Sequence, residues 1–210
     1  MILYLLKQNI MLGSFSTFSY LPPRYWIFRL FKRWWRTQDK DIYEQYSSGI
    51  RFFDIRVVYD WKNREWTFGS RLVMLKSPWK FKYLSDICDK INSDLPDCFF
   101  RIILETGSEG TRSLFIRQSQ DLCKEYSNLW EVGIRFDNKS YNVVSRNKYI
   151  PGYGFSKYRS WEKPNYEYCT PGMGKKNIVK VNSELFDKIG EIKETRDNLI
   201  ITGYCTDFGK

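Results

Sequence analysis

Residues 41–58 constrain the fold most, because a helix start, a helix end and a strand follow one another in this short run. Asp41 is of a type that caps helix N-termini, and Glu44 stands three residues later, as in a capping box. Gly49 can adopt the left-handed conformation that ends a helix. The β-branched and aromatic residues at 50–58 then predict a strand. We therefore expect a short helix that leads directly into a strand.

Two charged side chains share one face of that strand. Side chains alternate between the two faces of a strand, so Asp54 and Arg56 lie together on an otherwise apolar segment. Burial of such a pair costs free energy unless the two groups satisfy each other or bind a ligand. Two interpretations are open here: a structural ion pair, or a site for an anion such as phosphate, which a guanidinium group binds well.

The charge balance favours anionic partners. The chain has 34 Lys and Arg against 24 Asp and Glu, a formal net charge of +10, and such a surface attracts nucleic acid, phospholipid headgroups or phosphorylated small molecules. The length of 210 residues predicts a single domain over residues 1–210. The five cysteines are odd in number and lack CxxC spacing, which predicts a reducing, cytoplasmic location and no cysteine metal site.

The chain contains no histidine. This absence excludes general acid or base catalysis by histidine, nucleophiles that a histidine activates, and every metal site with a histidine ligand. Any proton transfer near neutral pH would have to use another side chain.

The segment 22–36, PPRYWIFRLFKRWWR, combines aromatic and basic residues. If it forms one helix, Arg29, Lys32, Arg33 and Arg36 form a basic stripe, and this pattern predicts peripheral contact with an anionic membrane. Packing of the rings onto the protein core is the alternative, and binding of single-stranded nucleic acid is a weaker third interpretation. No segment has the length of a transmembrane span, so we do not expect a transmembrane protein.

A second strand is predicted in CFFRIILETG, residues 98–107. By alternation Arg101 and Glu105 share a face, so Glu105 can point into the same cavity as Asp54, although a Glu at a strand end often only begins a solvated loop. Helical periodicity is present at residues 80–92 and 111–126. Near the C-terminus we expect a helix over residues 183–196 and a last strand in NLIITGYC.

Residues 34–57, WWRTQDKDIYEQYSSGIRFFDIRV, resemble the X domain of phosphatidylinositol-specific phospholipase C, in which a Trp and a Gln precede an IxEQLxxGxRxxDIR segment. The strand at 98–107 resembles the VILxLE strand of the same family. The resemblance implies a distorted or reduced TIM-like (β/α) barrel of the phospholipase C-like phosphodiesterase type. Its site would lie at the C-terminal ends of the strands.

The family uses two catalytic histidines, and this chain has neither. The tract from Gly13 resembles the family's GTHDS tract, with Phe15 at the first histidine position. Aligning the family's HG pair with Gly69 puts Phe68 at the second, whereas a two-residue slip puts Ser70 there and Arg71 at the glycine. None of these side chains supplies a general acid near neutral pH.

The resemblance also implies roles for the charged residues. Asp54 and Arg56 would stand at catalytic positions, with Arg56 and Arg71 binding the substrate phosphate. Glu105 and Asp54 would hold a metal ion, Ca²⁺ or another divalent cation, if the protein uses one. Arg56 argues against a cation, because in bacterial members an arginine on the DIR strand does its electrostatic work.

We therefore expect a phospholipase C-like protein with impaired catalysis that binds a phosphodiester or an anionic phospholipid headgroup and needs no cofactor. An active, metal-dependent phosphoric diester hydrolase is one alternative. A scaffold or partner-binding protein is another. Nucleic acid is not an expected partner.

Overall fold

The computed structural model describes residues 11–135, 141–147, 166–167 and 199–202. Within these ranges nine strands form one sheet. The strands are β1 (Met11–Ser14), β2 (Phe52–Asp60), β3 (Glu65–Ser70), β4 (Val73–Met74), β5 (Phe99–Leu104), β6 (Leu129–Arg135), β7 (Tyr141–Arg146), β8 (Tyr166–Glu167) and β9 (Leu199–Thr202). The helices are α1 (Lys32–Trp35), α2 (Ile42–Ser47), α3 (Leu84–Asp94), α4 (Glu109–Ser119) and α5 (Leu122–Glu125), with 3₁₀ turns at Thr17–Tyr20 and Trp26–Arg29.

The sheet runs in the order β7, β6, β5, β2, β1, β9, β8, and β3 pairs with both β2 and β4. Strands β6, β5, β2, β1, β9 and β8 pair with one another in parallel, whereas β7 is antiparallel to β6 and β3 is antiparallel to β2. A parallel sheet brings the carboxyl ends of its strands to one edge.

The predicted helix, break and strand at residues 41–58 are confirmed. Asp41 Oδ1 accepts a hydrogen bond from the Glu44 amide at 2.8 Å, and Glu44 Oε2 accepts one from the Asp41 amide at 3.0 Å, so α2 begins with a capping box. Gly49 has a φ of 87°, which ends the helix before β2 begins.

Strand β2 separates an apolar face from a charged one. Phe53, Ile55 and Val57 are buried in a hydrophobic cluster that also contains residues of α3 and α4, including Ile87 and Phe115. The opposite face carries the charged residues of the strand. The apolar cluster therefore holds the sheet against the helices and leaves the charged face toward the interior of the fold.

Several predicted boundaries differ from the structure. The helix predicted over 111–126 is two helices, α4 and α5, separated at residues 120–121. The helix predicted over 183–196 lies outside the described residues. The last strand is present as β9.

Within the described residues the fold is mixed α/β. Its sheet is open, because the strands at its two ends, β7 and β8, do not pair with each other. Closure into a TIM-like barrel, predicted from the resemblance, stays a prediction. Every helix in this part of the chain is too short or too polar to cross a lipid bilayer.

Candidate functional site

Four charged side chains form a row across β2, β5, β6 and β7. Strand register pairs Asp54 with Arg101, Arg101 with Glu131, and Glu131 with Arg146. The charges alternate along this buried charged row. Arg101 Nε donates to Asp54 Oδ1 at 2.6 Å, and Arg146 Nη2 donates to Glu131 Oε2 at 2.6 Å. Tyr141 joins the row through its hydroxyl, which donates to Glu131 and accepts from Arg101.

Asp54 is fully buried and binds three donors. Besides Arg101, it accepts a 2.6 Å hydrogen bond from Arg56 Nε and a 3.0 Å bond from the Ser16 amide, both at Oδ2. Burial acts to raise the pKa of Asp54, but the guanidinium groups of Arg101 and Arg56 outweigh burial and lower the pKa below its ordinary value. Asp54 is therefore a carboxylate at neutral pH and cannot act as a general acid there.

The lowered pKa of Asp54 predicts a specific loss of stability in acid. A carboxylate with a lowered pKa stabilises the fold above its unfolded pKa near 3.9, and this contribution is lost as pH decreases through the folded pKa. We expect the stability difference between wild type and Asp54→Asn to shrink below about pH 4 by on the order of 1 kcal/mol. Urea unfolding at pH 7 and pH 3 measures it, and a pH-independent difference would contradict it.

A second group lies at the carboxyl ends of the same strands. Arg56, Glu105 and Arg135 form this upper charged group: Arg135 Nη1 donates to Glu105 Oε2, and Arg56 Nη1 lies 3.7 Å from Glu105 Oε1. The Arg56 guanidinium also lies over the Phe15 ring, 4.8 Å from its centre. Arg56 thus joins the upper group to Asp54 below it. Arg56 contacts both Asp54 and Glu105, but only Glu105 lines a cleft in the described part of the chain, so the cavity expected to receive both carboxylates stays a prediction.

The loop after β1 is held over Asp54 by two glutamines of the segment that resembles the phospholipase signature. Gln38 Nε2 donates to the Phe15 carbonyl at 3.0 Å, and Gln45 Nε2 donates to the Thr17 carbonyl at 3.1 Å. Ser16 adopts a left-handed backbone with a φ of 47°, a costly conformation for a residue with a Cβ. That conformation accompanies the bond from its amide to Asp54.

A cleft of about 770 Å³ opens above the upper charged group. Its polar lining includes Glu105 and three arginines, Arg71, Arg112 and Arg135. The remaining lining residues are Phe28, Phe31, Trp35, Leu72, Val73, Leu104, Thr106, Gly107 and Ile134. Because three guanidinium groups accompany one carboxylate, the charged part of the lining is positive, and the rest of the lining is mostly apolar.

Arg56 and Arg71, the two predicted substrate-binding residues, lie at different depths below the surface. Arg71 lines the cleft at the turn between β3 and β4, with a left-handed φ of 58°. Arg56 is buried and lies behind Glu105. Asp54 lies deeper still, in the buried charged row.

The two predicted histidine positions differ in their surroundings. Phe15 contacts Arg56 and lies at the site. Phe68 pairs in register with Val57, so it lies on the face opposite Arg56. Its ring stacks on Phe18 with centroids 3.6 Å apart and lies in an aromatic cluster with Trp79. The alignment of Phe68 with a family histidine stays a prediction.

Ser70, which the two-residue slip puts at the second histidine position, is buried beside the loop that follows β1. Its hydroxyl accepts a 3.1 Å hydrogen bond from the Ser16 hydroxyl and donates one to the Trp35 carbonyl. Its hydrogen bonds therefore connect β3 to the loop above Asp54.

The carboxylates do not fit a divalent cation as they are arranged. The described residues contain no group of three or more His, Cys, Asp or Glu side chains that could hold a metal ion. Asp54 binds Arg101 and Arg56, and Glu105 binds Arg135. A cation between the two carboxylates would lie beside the Arg56 guanidinium and be repelled by it.

The prediction of one basic helix over residues 22–36 is wrong. The segment forms a 3₁₀ turn, Trp26–Arg29, and the separate helix α1, because Phe31, with a φ of −110° and a ψ of 32°, departs from helical geometry. Arg29 and Lys32 are exposed, whereas Arg36 donates to the Gln38 carbonyl and lies 3.1 Å from Asp39. The side chain of Arg33 lies outside the described part.

Apolar side chains dominate the exposed surface of this segment. Trp26 is 70% exposed and Leu30 is 69% exposed. Tyr25, Ile27 and Phe31 are exposed as well. We call these five residues the aromatic tip. It borders the cleft, since Phe28 and Phe31 line the cleft wall.

Sequence reasoning missed five charged site residues: Arg101, Arg112, Glu131, Arg135 and Arg146. Strand alternation had already put Arg101 on the face of Glu105, which was the one available signal. The others depend on which strands are neighbours.

The fold is similar to solved structures of phospholipase C. The phosphatidylinositol-specific phospholipase C from Listeria monocytogenes matches with a TM-score of 0.57 and 14% identity, over 97% of this chain and 93% of that chain. A mutant of the Staphylococcus aureus enzyme matches with a TM-score of 0.52 and 15% identity, over 97% and 92%. A further Staphylococcus aureus structure, from work on modulation of its membrane binding, gives 0.50 and 14%, over 97% and 93%.

No protein-family profile matches the sequence, and no curated protein matches it. At identities near 15% the structural similarity establishes the fold, which is phospholipase C-like.

Proposed function

We propose that the protein binds a phosphodiester or an anionic phospholipid headgroup in the cleft, as a phospholipase C-like domain that lacks standard catalysis. The observation that carries the proposal is the composition of the cleft, where Arg71, Arg112 and Arg135 line the same space as apolar side chains. Guanidinium groups bind phosphate oxygens through paired, charge-assisted hydrogen bonds. The apolar side chains suit the part of a lipid next to its headgroup.

Peripheral membrane contact follows from the aromatic tip. Exposed aromatic and aliphatic side chains with cations beside them are typical of segments that lie in a bilayer interface. Arg29 and Lys32 supply the cations. In this proposal the tip enters the interface while the cleft receives the headgroup.

Loss of turnover follows from the missing histidines. Each member of a general acid/base pair contributes roughly a hundred- to ten-thousand-fold in rate, so the absence of both removes several orders of magnitude. We also propose a TIM-like (β/α) barrel and a location at the cytoplasmic face of a membrane.

The test combines binding and turnover in one preparation. Vesicles of phosphatidylcholine with 20 mol% phosphatidylinositol are sedimented with the protein, and release of the labelled headgroup is followed with and without Ca²⁺ or Mg²⁺. We expect binding without release. Cation-dependent release would establish the metal-dependent phosphoric diester hydrolase instead, and failure to bind any vesicle would favour a scaffold role.

The aromatic tip is expected to contribute directly to vesicle binding. Because an apolar side chain of this size gains about 1.5–3 kcal/mol on full burial, we expect Trp26→Ser with Leu30→Ser to weaken vesicle binding by about tenfold or more. Co-sedimentation measures the change. Tyr83→Ser with Ile116→Ser, at two exposed positions elsewhere, is the matched control. Equal losses in both pairs would contradict a specific role of the tip.

A further inference from the structure

We propose that Glu105 is an internal competitor for the anionic ligand: its carboxylate occupies the guanidinium groups that a phosphate would bind, and the ligand must displace it. The inference rests on the proposed function. It concerns how the site is regulated by its own side chain.

The position of Glu105 in the cleft supports this inference. Glu105 is the sole carboxylate among the described residues that line the cleft. It lies between Arg135, which donates to Oε2, and Arg56, which is 3.7 Å from Oε1. Two guanidinium groups that converge on two oxygens of one planar anion form the arrangement that also suits two oxygens of a phosphate.

The distribution of charge around Glu105 also supports the inference. In the buried charged row, two carboxylates, Asp54 and Glu131, bind the guanidinium groups of Arg101 and Arg146, and Asp54 also binds Arg56. In the upper charged group one carboxylate faces two guanidinium groups, and Arg71 and Arg112 add further positive charge at the cleft wall. Among the described residues that line the cleft, three arginines thus accompany the single carboxylate of Glu105, and this balance favours an anionic ligand.

The position of Glu105 in the chain allows displacement. Its backbone amide is bound to the Val57 carbonyl at 2.9 Å, which fixes the main chain at the end of β5. Its side chain borders the open cleft, and the next residue, Thr106, is exposed. Rotation of the side chain into the cleft would end its contacts with Arg135 and Arg56 without movement of the strand, and Arg56 would keep its bond to Asp54.

The expected result is a gain of affinity on removal of the charge. With Glu105→Gln, an incoming anion no longer competes with a carboxylate and is no longer repelled by it, so inorganic phosphate should bind about tenfold tighter or more. Isothermal titration calorimetry with inorganic phosphate measures this change. Vesicles containing 20 mol% phosphatidylinositol in phosphatidylcholine form the second arm, which distinguishes a lipid headgroup from a small soluble phosphate ester.

The controls separate this inference from the proposed function. Glu125→Gln makes the same charge change on α5, away from the cleft, and should leave phosphate affinity within about twofold, as for remote charges screened by salt. Glu105→Gln combined with Arg135→Gln should lose the gain. If no protein binds phosphate or vesicles, the proposed function fails. If wild type binds and Glu105→Gln binds equally or more weakly, only the internal competitor is overturned, and weaker binding that depends on Ca²⁺ would establish a cation site.

If Glu105→Gln fails to fold, a structure of the wild-type protein with inorganic phosphate tests the inference without any variant. We expect phosphate against Arg135 and the Glu105 side chain turned away from it. Phosphate bound in the cleft with the Glu105–Arg135 pair intact would overturn the proposal.

Discussion

Arg101→Met is expected to lower the free energy of unfolding by about 3–5 kcal/mol, as removal of one partner from a buried ion pair usually does. Arg101 is fully buried, donates to Asp54 and lies 3.9 Å from Glu131. Methionine fills a similar volume but leaves both carboxylates without their shared cation. The cost therefore comes from buried negative charge rather than from a cavity.

Urea unfolding at pH 7 measures the loss in Arg101→Met. Arg117→Met is the matched control, because Arg117 is exposed on α4 and a surface substitution there should change stability by about 0.5 kcal/mol or less. A loss in Arg101→Met no greater than in the control would mean that the buried charged row contributes no stability through Arg101.

The second large effect concerns the cleft. The triple variant Arg71→Gln, Arg112→Gln and Arg135→Gln is expected to weaken binding to vesicles with 20 mol% phosphatidylinositol by about a hundredfold, since each basic residue near an anionic surface contributes roughly 1 kcal/mol. All three line the cleft. The loss should be smaller at high salt, because the exposed part of the attraction is screened.

A control with the same change in net charge separates a site from general attraction. Lys80→Gln, Arg117→Gln and Lys124→Gln remove three exposed cations that do not line the cleft. Co-sedimentation at low and physiological salt compares the two triple variants. Equal losses would show that only the total charge of +10 matters, and the cleft would have no specific role.

Local patterns predicted the central part of the fold correctly. The capping box at Asp41 and the left-handed Gly49 depend on nearest neighbours in the sequence, and both are present. The alternation that put Asp54 and Arg56 on one face also holds, because it is a property of any single strand. Features that depend only on residues close in sequence can be predicted without knowledge of the other strands.

The charged partners of these residues required tertiary information. Arg101 lies 47 residues from Asp54 in the chain, and their bond depends on the register of β2 against β5. Glu131 and Arg146 belong to two further strands. Sequence patterns give the faces of each strand but not the order of strands in a sheet, so the row could not be assembled from them.

Segment 22–36 differed from its prediction for another reason. Its spacing of basic residues fits one helix, but the described structure has a 3₁₀ turn and the short helix α1, and the apolar side chains of the aromatic tip remain exposed. Local propensity is a weak guide when a segment this short packs at the border of a cleft.

The buried charged row also limits how this chain can change. Apolar residues could replace these charges at little cost only as a set, as they can in other buried ion networks, and the set includes Arg56, because its Nε donates to Asp54. Any single replacement leaves an uncompensated charge, so the intermediate steps are unstable. The row is therefore inherited or lost as a unit, and substitutions at Asp54, Arg101, Glu131 and Arg146 should be strongly non-additive.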